Sequence, residues 1–336
     1  MTQTPETNLQ IRLAARPKGL PQESDFQHTE EPIPQPGEGQ VLVRNLFLSL
    51  DPAMRGWMNE GRSYVPPIGI GEVMRGLTVG EVVESRHPDF KPGDVVSGVL
   101  GWQRYAVAVA KGLNRIPPGI APTVALGPLG MTGLTAYFGL LDVGQLKSGE
   151  TVLVSGAAGA VGSIVGQIAK LHGCRAVGIA GTDDKCRWLT EELGFDAAIN
   201  YRTAKDLHEE IRGACPKGVD VYFDNVGGEI LDTALRNLAL HARVVICGAI
   251  SQYNATQPPK GPANYLALLV QRARMEGFVV MDFTPRFPEA QAQLGRWLAE
   301  GKLHYREDVV EGLENAPKAL LRLFDGSNRG KLMVRV

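Results

Sequence analysis

The residues whose types and spacing could do chemistry lie between Thr151 and Gly173. An apolar run, Thr151–Val154, breaks into Ser155-Gly156-Ala157-Ala158-Gly159-Ala160-Val161-Gly162 and then into an apolar-periodic segment ending at Gly173. The pattern predicts strand, glycine turn and helix. Such a turn lets the backbone approach a pyrophosphate closely at Gly159 and permits tight helix-on-strand contact at Gly162. It also aims the helix's N–H groups and positive dipole end at an anion. A dinucleotide is the implied ligand. Ala157 stands where the usual G-x-G-x-x-G has its first glycine, so the glycines are read together with the units that follow them.

Those units alternate. After a helix over 163–172, Arg175–Ala180 has the small and branched residues of a buried parallel strand, and Thr182-Asp183-Asp184 is a polar helix start. Further strands are predicted at Ala197–Ile199, Val219–Phe223, Val244–Cys247 and Phe278–Met281, with helices around 203–212, 229–239 and 263–274. This alternation predicts an α/β doubly wound parallel sheet. The first 125 residues differ. Pro32, Pro34, Pro36, Gly37 and Gly39 cluster, and short strand-like runs lie at Val41–Leu50, Leu77–Val83, Val95–Val99 and Tyr105–Ala110, the pattern of an irregular β-barrel. A chain of 336 residues suits two domains, with a boundary near Asn114–Pro122. Glu314–Phe324 reads as a helix and Lys331–Val336 as a strand whose destination periodicity does not reveal.

Composition removes other classes of function. Lys and Arg number 35 against 36 Asp and Glu, without a basic block, so no footprint for nucleic acid or anionic membrane is present. The N-terminal residues lack a basic and apolar leader pattern, and no apolar stretch reaches membrane-spanning length. A cytoplasmic protein is expected. Cys174, Cys186, Cys215 and Cys247 fit no compact zinc spacing and are read as reduced, mostly buried thiols. The six histidines form no metal-binding set either, which directs any chemistry to a cofactor and to oxygen or nitrogen donors.

Seven short blocks, in order and at their spacing, give the chain a family resemblance. They are Leu50–Arg55, Ser63–Pro67, Ala157–Ser163, Phe223–Gly228, Cys247–Asn254, Arg274–Val280 and Gly326–Lys331. The chain resembles the medium-chain dehydrogenase/reductase superfamily. Within it, the zinc-independent leukotriene/prostaglandin reductase branch is most similar, bacterial NADPH-dependent curcumin reductases above all. The resemblance implies a GroES-like barrel over 1–122 with a returning tail over 303–336, a Rossmann domain over 123–302, and a homodimer. It also implies reduction of the carbon–carbon double bond of α,β-unsaturated aldehydes and ketones. Ala53 and Val270 depart from tyrosines found in relatives, so pocket shape is expected to differ.

The cofactor expectation combines residues with resemblance. An NAD site places an acid at the end of the second strand, where this chain has Gly181; Asp183 and Asp184 come two residues late, as helix-start residues would. The resemblance sets Lys185 and Tyr201 at the 2′-phosphate of NADPH and Gly159, Ala160, Val161 and Gly162 at the pyrophosphate. It sets Asn225 at the nicotinamide half, and Cys247, Gly248, Ala249, Ile250, Ser251 and Tyr253 along the same groove, with Phe278, Val279, Val280 and Asn328. Phe278–Val280 would serve equally as plain core strand, and Asn225 as a turn residue.

Hydride addition to the β-carbon of an enone leaves negative charge on the carbonyl oxygen, where donors lower the barrier most. The resemblance points to two phenols, Tyr64 and Tyr253. A tyrosine, with a reference pKa near 10, can hold such an oxygen while protonated. No residue presents itself as an acid for the α-carbon, which leaves solvent. Two other readings stay open: an NADPH quinone reductase, and a cofactor-binding structural or regulatory protein without turnover.

Overall fold

The first described element is a strand outside those expected above, although Leu9, Ile11 and Leu13 alternate with polar residues as a half-buried strand does. In the computed structural model, which describes residues 7–61 and 63–336, β1 (Thr7–Leu13) pairs antiparallel with β2 (Phe26–Pro32), Leu13 opposite Phe26. Asn8 is fully buried in β1 and closes a two-way bond with Tyr105: its Nδ2 donates to the Tyr105 carbonyl at 2.9 Å, and its Oδ1 accepts the Tyr105 N–H at 2.8 Å. Asn8 is thus a polar residue satisfied inside the core beside buried Leu9, Ile11 and Leu13.

β3 (Gln40–Ser49), β4 (Thr78–Ser85), β5 (Val95–Gly98), β6 (Tyr105–Val109) and β7 (Asn114–Arg115) follow as antiparallel neighbours. Register shifts between Leu42 and Val43 and between Asn45 and Phe47 bend β3 against β4. Val41, Val43, Val82 and Val96 fill one side of this sheet, and Ile11, Leu48, Met54 and Trp102 belong to a second core.

The parallel sheet holds β8 (Thr151–Val154), β9 (Arg175–Ala180), β10 (Ala197–Asn200), β11 (Val219–Asp224), β12 (Leu238–Ile246) and β13 (Arg274–Gly277), in the order β10-β9-β8-β11-β12-β13. This is the doubly wound order, and its direction reverses between β8 and β11. Three expectations are corrected here. β12 begins at Leu238 rather than Val244, because the helix Gly228–Leu235 stops four residues short of the expected 239. The helix expected over 263–274 is only Leu266–Val270. The last strand is Arg274–Gly277, not Phe278–Met281. Phe278 leaves the ladder to pack edge-on against Phe223 and Phe283, with ring centroids 6.4 and 6.5 Å away, so its apolarity signals core contact rather than strand pairing.

β14 (Glu307–Glu311) and β15 (Lys331–Arg335) close the chain. β15 pairs antiparallel with β3, Met333 opposite Ser49, giving the order β14-β15-β3-β4-β5-β7 with β6 also on β3. By contacts the chain divides into two units. One holds the described residues up to Leu126 with Glu307–Asn328 and Leu332–Val336; the other holds Gly127–Arg306 with Arg329–Lys331. Among the described residues no helix is long and apolar enough to cross a membrane.

Candidate active site

Open α/β sheets bind ligands outside the carboxyl ends of their strands where the order reverses, which here means after Val154 and Asp224. The left-handed residue of the first turn is Gly156, at φ +57°, not the following position that Ala157 occupies. Ala157 is fully buried and donates its N–H to the Ile179 carbonyl of β9 at 3.0 Å, so its methyl does no harm. Gly162 is the constrained glycine: a Cβ there would stand 2.5 Å from the Gly156 carbonyl oxygen and 2.8 Å from the Ala157 Cα. The turn and the helix Gly162–Leu171 thus touch backbone to backbone. Val161, at the helix cap, offers no side-chain acceptor to the first turn, which suits an anion there. A cradle of this shape fits a pyrophosphate.

At the end of β9, Gly181 lies beside the two residues that follow β10. A Cβ at Gly181 would lie 3.2 Å from Tyr201 Cε1 and 3.4 Å from Arg202 Nε. Arg202 donates to the Tyr201 hydroxyl at 3.4 Å and its guanidinium lies 5.8 Å from that ring's centre. Thr182 caps the next helix by accepting the Lys185 N–H at 3.3 Å, while Asp183 accepts from Asn200 Nδ2 at 2.7 Å. Arg329 reaches Asp184 at 3.7 Å, and Gly330 bridges to Gly159. Tyr201 and Arg202 therefore stand beside Gly181, where an NAD site would carry an acid, with Lys185 in the helix that Thr182 caps, and this corner fits a 2′-phosphate. Arg202 and Arg329 escaped the sequence reading; their signal was only a cation adjoining Tyr201 and another adjoining Asn328.

The turn after β11 is built on a buried acid. Asp224 has no exposed surface and accepts from Ser155 Oγ at 2.8 Å, Tyr222 Oη at 2.7 Å and the N–H groups of Val226 and Gly227 at 3.0 Å. Its carbonyl accepts from Cys247 and Gly248 N–H at 2.9 and 3.1 Å. One residue thus joins the turns after β8, β11 and β12, meeting the requirement that a buried charge be bonded on all sides. Asn225 is held by this frame: its Nδ2 donates to the Ser155 carbonyl at 2.7 Å and its N–H to Ser155 Oγ at 2.9 Å. Burial, and then Asp224, push the Tyr222 hydroxyl well above the usual phenol range and the Cys247 thiol up to about 12. Both stay protonated at neutral pH. The sequence signal for Asp224 was a charge ending the otherwise apolar run Val221–Phe223.

Tyr253 follows the short turn Ile250–Gln252. Its hydroxyl accepts the Ala249 N–H at 3.2 Å, and a Cβ on Gly248 would stand 2.9 Å from that same oxygen. Ser251 bonds back to the Val226 carbonyl through N–H and Oγ. Phe278 spends its ring on the core, next to half-buried Val279 and Val280. Asn328 and Tyr64 belong to the other unit: Asn328 follows the helix Ala316–Asp325, and Tyr64 accepts at its hydroxyl from Trp57 Nε1 at 3.2 Å.

A family model described as N-terminal domain of oxidoreductase matches residues 9–116, and one described as zinc-binding dehydrogenase matches residues 160–296. The chain is 47% identical over 344 residues to the NADPH-dependent curcumin reductase of Escherichia coli (strain K12), covering 100% of this chain and 99% of that one. It is 45% identical over 324 residues to prostaglandin reductase 1 of Rattus norvegicus, covering 95% and 96%. The chain belongs to the curcumin/prostaglandin reductase branch of the medium-chain dehydrogenase/reductase superfamily. The crystal structure of CurA from Vibrio vulnificus in complex with NADPH matches with a TM-score of 0.93 and 46% identity, covering 98% of this chain and 99% of that one. In this superfamily member the Rossmann sheet carries the glycine cradle and the cation corner. Among the described residues, no three His, Cys, Asp or Glu side chains gather as a metal site requires.

Proposed function

We propose that this protein is an NADPH-dependent oxidoreductase that reduces the carbon–carbon double bond of α,β-unsaturated ketones and aldehydes. The observation that carries this reading is the likeness to the curcumin reductase along the whole chain, with which the cradle and the cation corner agree. When bound, NADPH supplies the hydride that adds to the β-carbon. Lys185, Tyr201 and Arg202 would hold the 2′-phosphate. Gly159 to Gly162 would face the pyrophosphate, and Asn225, fixed by Ser155, would orient the nicotinamide carboxamide. The Cys247–Ser251 turn, Phe278–Val280 and Asn328 complete the proposed cofactor groove. Tyr64 and Tyr253 are the proposed donors to the carbonyl oxygen, and solvent protonates the α-carbon.

We further propose that the enzyme works without zinc, resides in the cytoplasm and forms a homodimer. The homodimer is supported by exposed Leu266, Leu269, Val270 and Met275 beside the edge strand β13. Turnover measured on benzylideneacetone and on benzoquinone, each with NADPH and with NADH, tests the function. Benzylideneacetone with NADPH should give the highest kcat/KM. A higher value with benzoquinone would make it a quinone reductase, and cofactor binding without turnover on either would make it a binding protein.

A further inference from the structure

Tyr64 is 53% exposed, on the loop that follows the short helix Ala53–Trp57. Exposed loop tyrosines ordinarily sample several rotamers, which wastes a donor that must meet one atom. Here the loop is tied to one indole. Trp57 packs against the core that contains Met54 and Met58, and its carbonyl accepts the Ile68 N–H at 2.8 Å at the loop's far end. Its Nε1 donates to Tyr64 Oη at 3.2 Å. Arg75 also links the indole to the loop. Its guanidinium lies 5.8 Å from the indole centre, and it donates to the Pro66 carbonyl at 2.8 Å, two residues past Tyr64.

A phenol oxygen that accepts one hydrogen bond becomes a better donor, because acceptance polarises its own O–H. The accepted bond also directs that proton away from the indole. We propose that Trp57 is a positioning residue for Tyr64: its indole N–H orients and polarises the phenol, and Arg75 holds the indole and the loop in register. The inference rests on the enone-reductase reading, in which Tyr64 is a donor to the carbonyl oxygen.

The test is a double-mutant cycle with benzylideneacetone at saturating NADPH. Trp57→Phe keeps a ring for packing and removes the N–H. Its kcat should fall about two- to tenfold, the range for one neutral hydrogen bond, with KM for NADPH unchanged. In a Tyr64→Phe background the same substitution should cause no further fall. Trp57→His, which retains a ring N–H, should recover part of the loss. Should Trp57 variants fail to fold, Arg75→Met carries the test, with the same loss and the same silence beside Tyr64→Phe. A parent-like kcat in Trp57→Phe, or a loss that adds in full to that of Tyr64→Phe, overturns the proposal while leaving Tyr64's role intact. A parent-like kcat in Tyr64→Phe alone removes that role and this inference together.

Discussion

Tyr64 and Tyr253 receive a hydrogen bond at the same atom from donors of different kinds. Tyr64 takes it from a side chain, the Trp57 indole, on an exposed loop. Tyr253 takes it from a backbone N–H, that of Ala249, in a turn whose neighbouring glycine leaves no room for a side chain. A side-chain donor can be removed or exchanged by one substitution. A backbone donor is lost only to proline, whose fixed φ near −65° would break the turn that holds Ala249 at φ −141°, so its position is set by whatever holds that turn, here the bonds to Asp224 and Val226. The first phenol is adjustable and the second is built in.

The sharpest way to break that comparison is to delete each hydroxyl. Tyr253→Phe should lower kcat about tenfold to a thousandfold with little change in NADPH affinity, as expected for a donor acting in the transition state. Tyr64→Phe should cost less. Equal losses, measured at saturating cofactor, would mean the built-in phenol has no greater part.

Gly248→Ala is the next largest effect. The new methyl would stand 2.9 Å from the Tyr253 hydroxyl and must displace it. We expect a loss of about tenfold in kcat, within the range for a missing oxyanion donor, and almost none on top of Tyr253→Phe. Additive losses from these two substitutions would show that Gly248 matters for another reason.

Cofactor choice depends on side chains, as the Trp57 contact does, and should be equally adjustable. Lys185→Ala or Arg202→Ala should raise KM for NADPH about tenfold, the scale of one charged hydrogen bond, and leave KM for NADH unchanged. Parallel changes with both cofactors would place these cations outside the 2′-phosphate site.

The smallest expected effect separates the two units by their thiols. All four cysteines lie in the second unit, and burial raises each thiol, Cys215 and Cys247 to about 12. Above an unfolded thiol pKa near 9, the unfolded chain releases protons that the folded chain retains. Stability present below pH 9 is therefore lost as pH rises toward 12. Melting curves across that window should show Tm falling, and a Cys215→Ala, Cys247→Ala variant should fall less steeply. An unchanged slope would mean other groups carry the alkaline loss.

Sequence by itself determined what is local and repetitive. The alternation of strands and helices from Thr151 onward, and the glycine turn, follow from apolar period and from the backbone freedom of glycine, which act within a few residues. Tertiary structure alone decided what depends on distant partners. β1 shows its alternation of Leu9, Ile11 and Leu13 locally, but what satisfies its buried Asn8 is Tyr105, 97 positions along the chain. Phe278 was misread as strand because an aromatic ring in a core and one in a ladder have the same sequence signature. The cation corner needed Gly181 and Arg202 to meet, and the frame around Asn225 needed Ser155, Tyr222 and Asp224 to converge from two strands. Hydrogen bonds between elements leave no period in the sequence, so only the folded chain shows which polar residues hold the site.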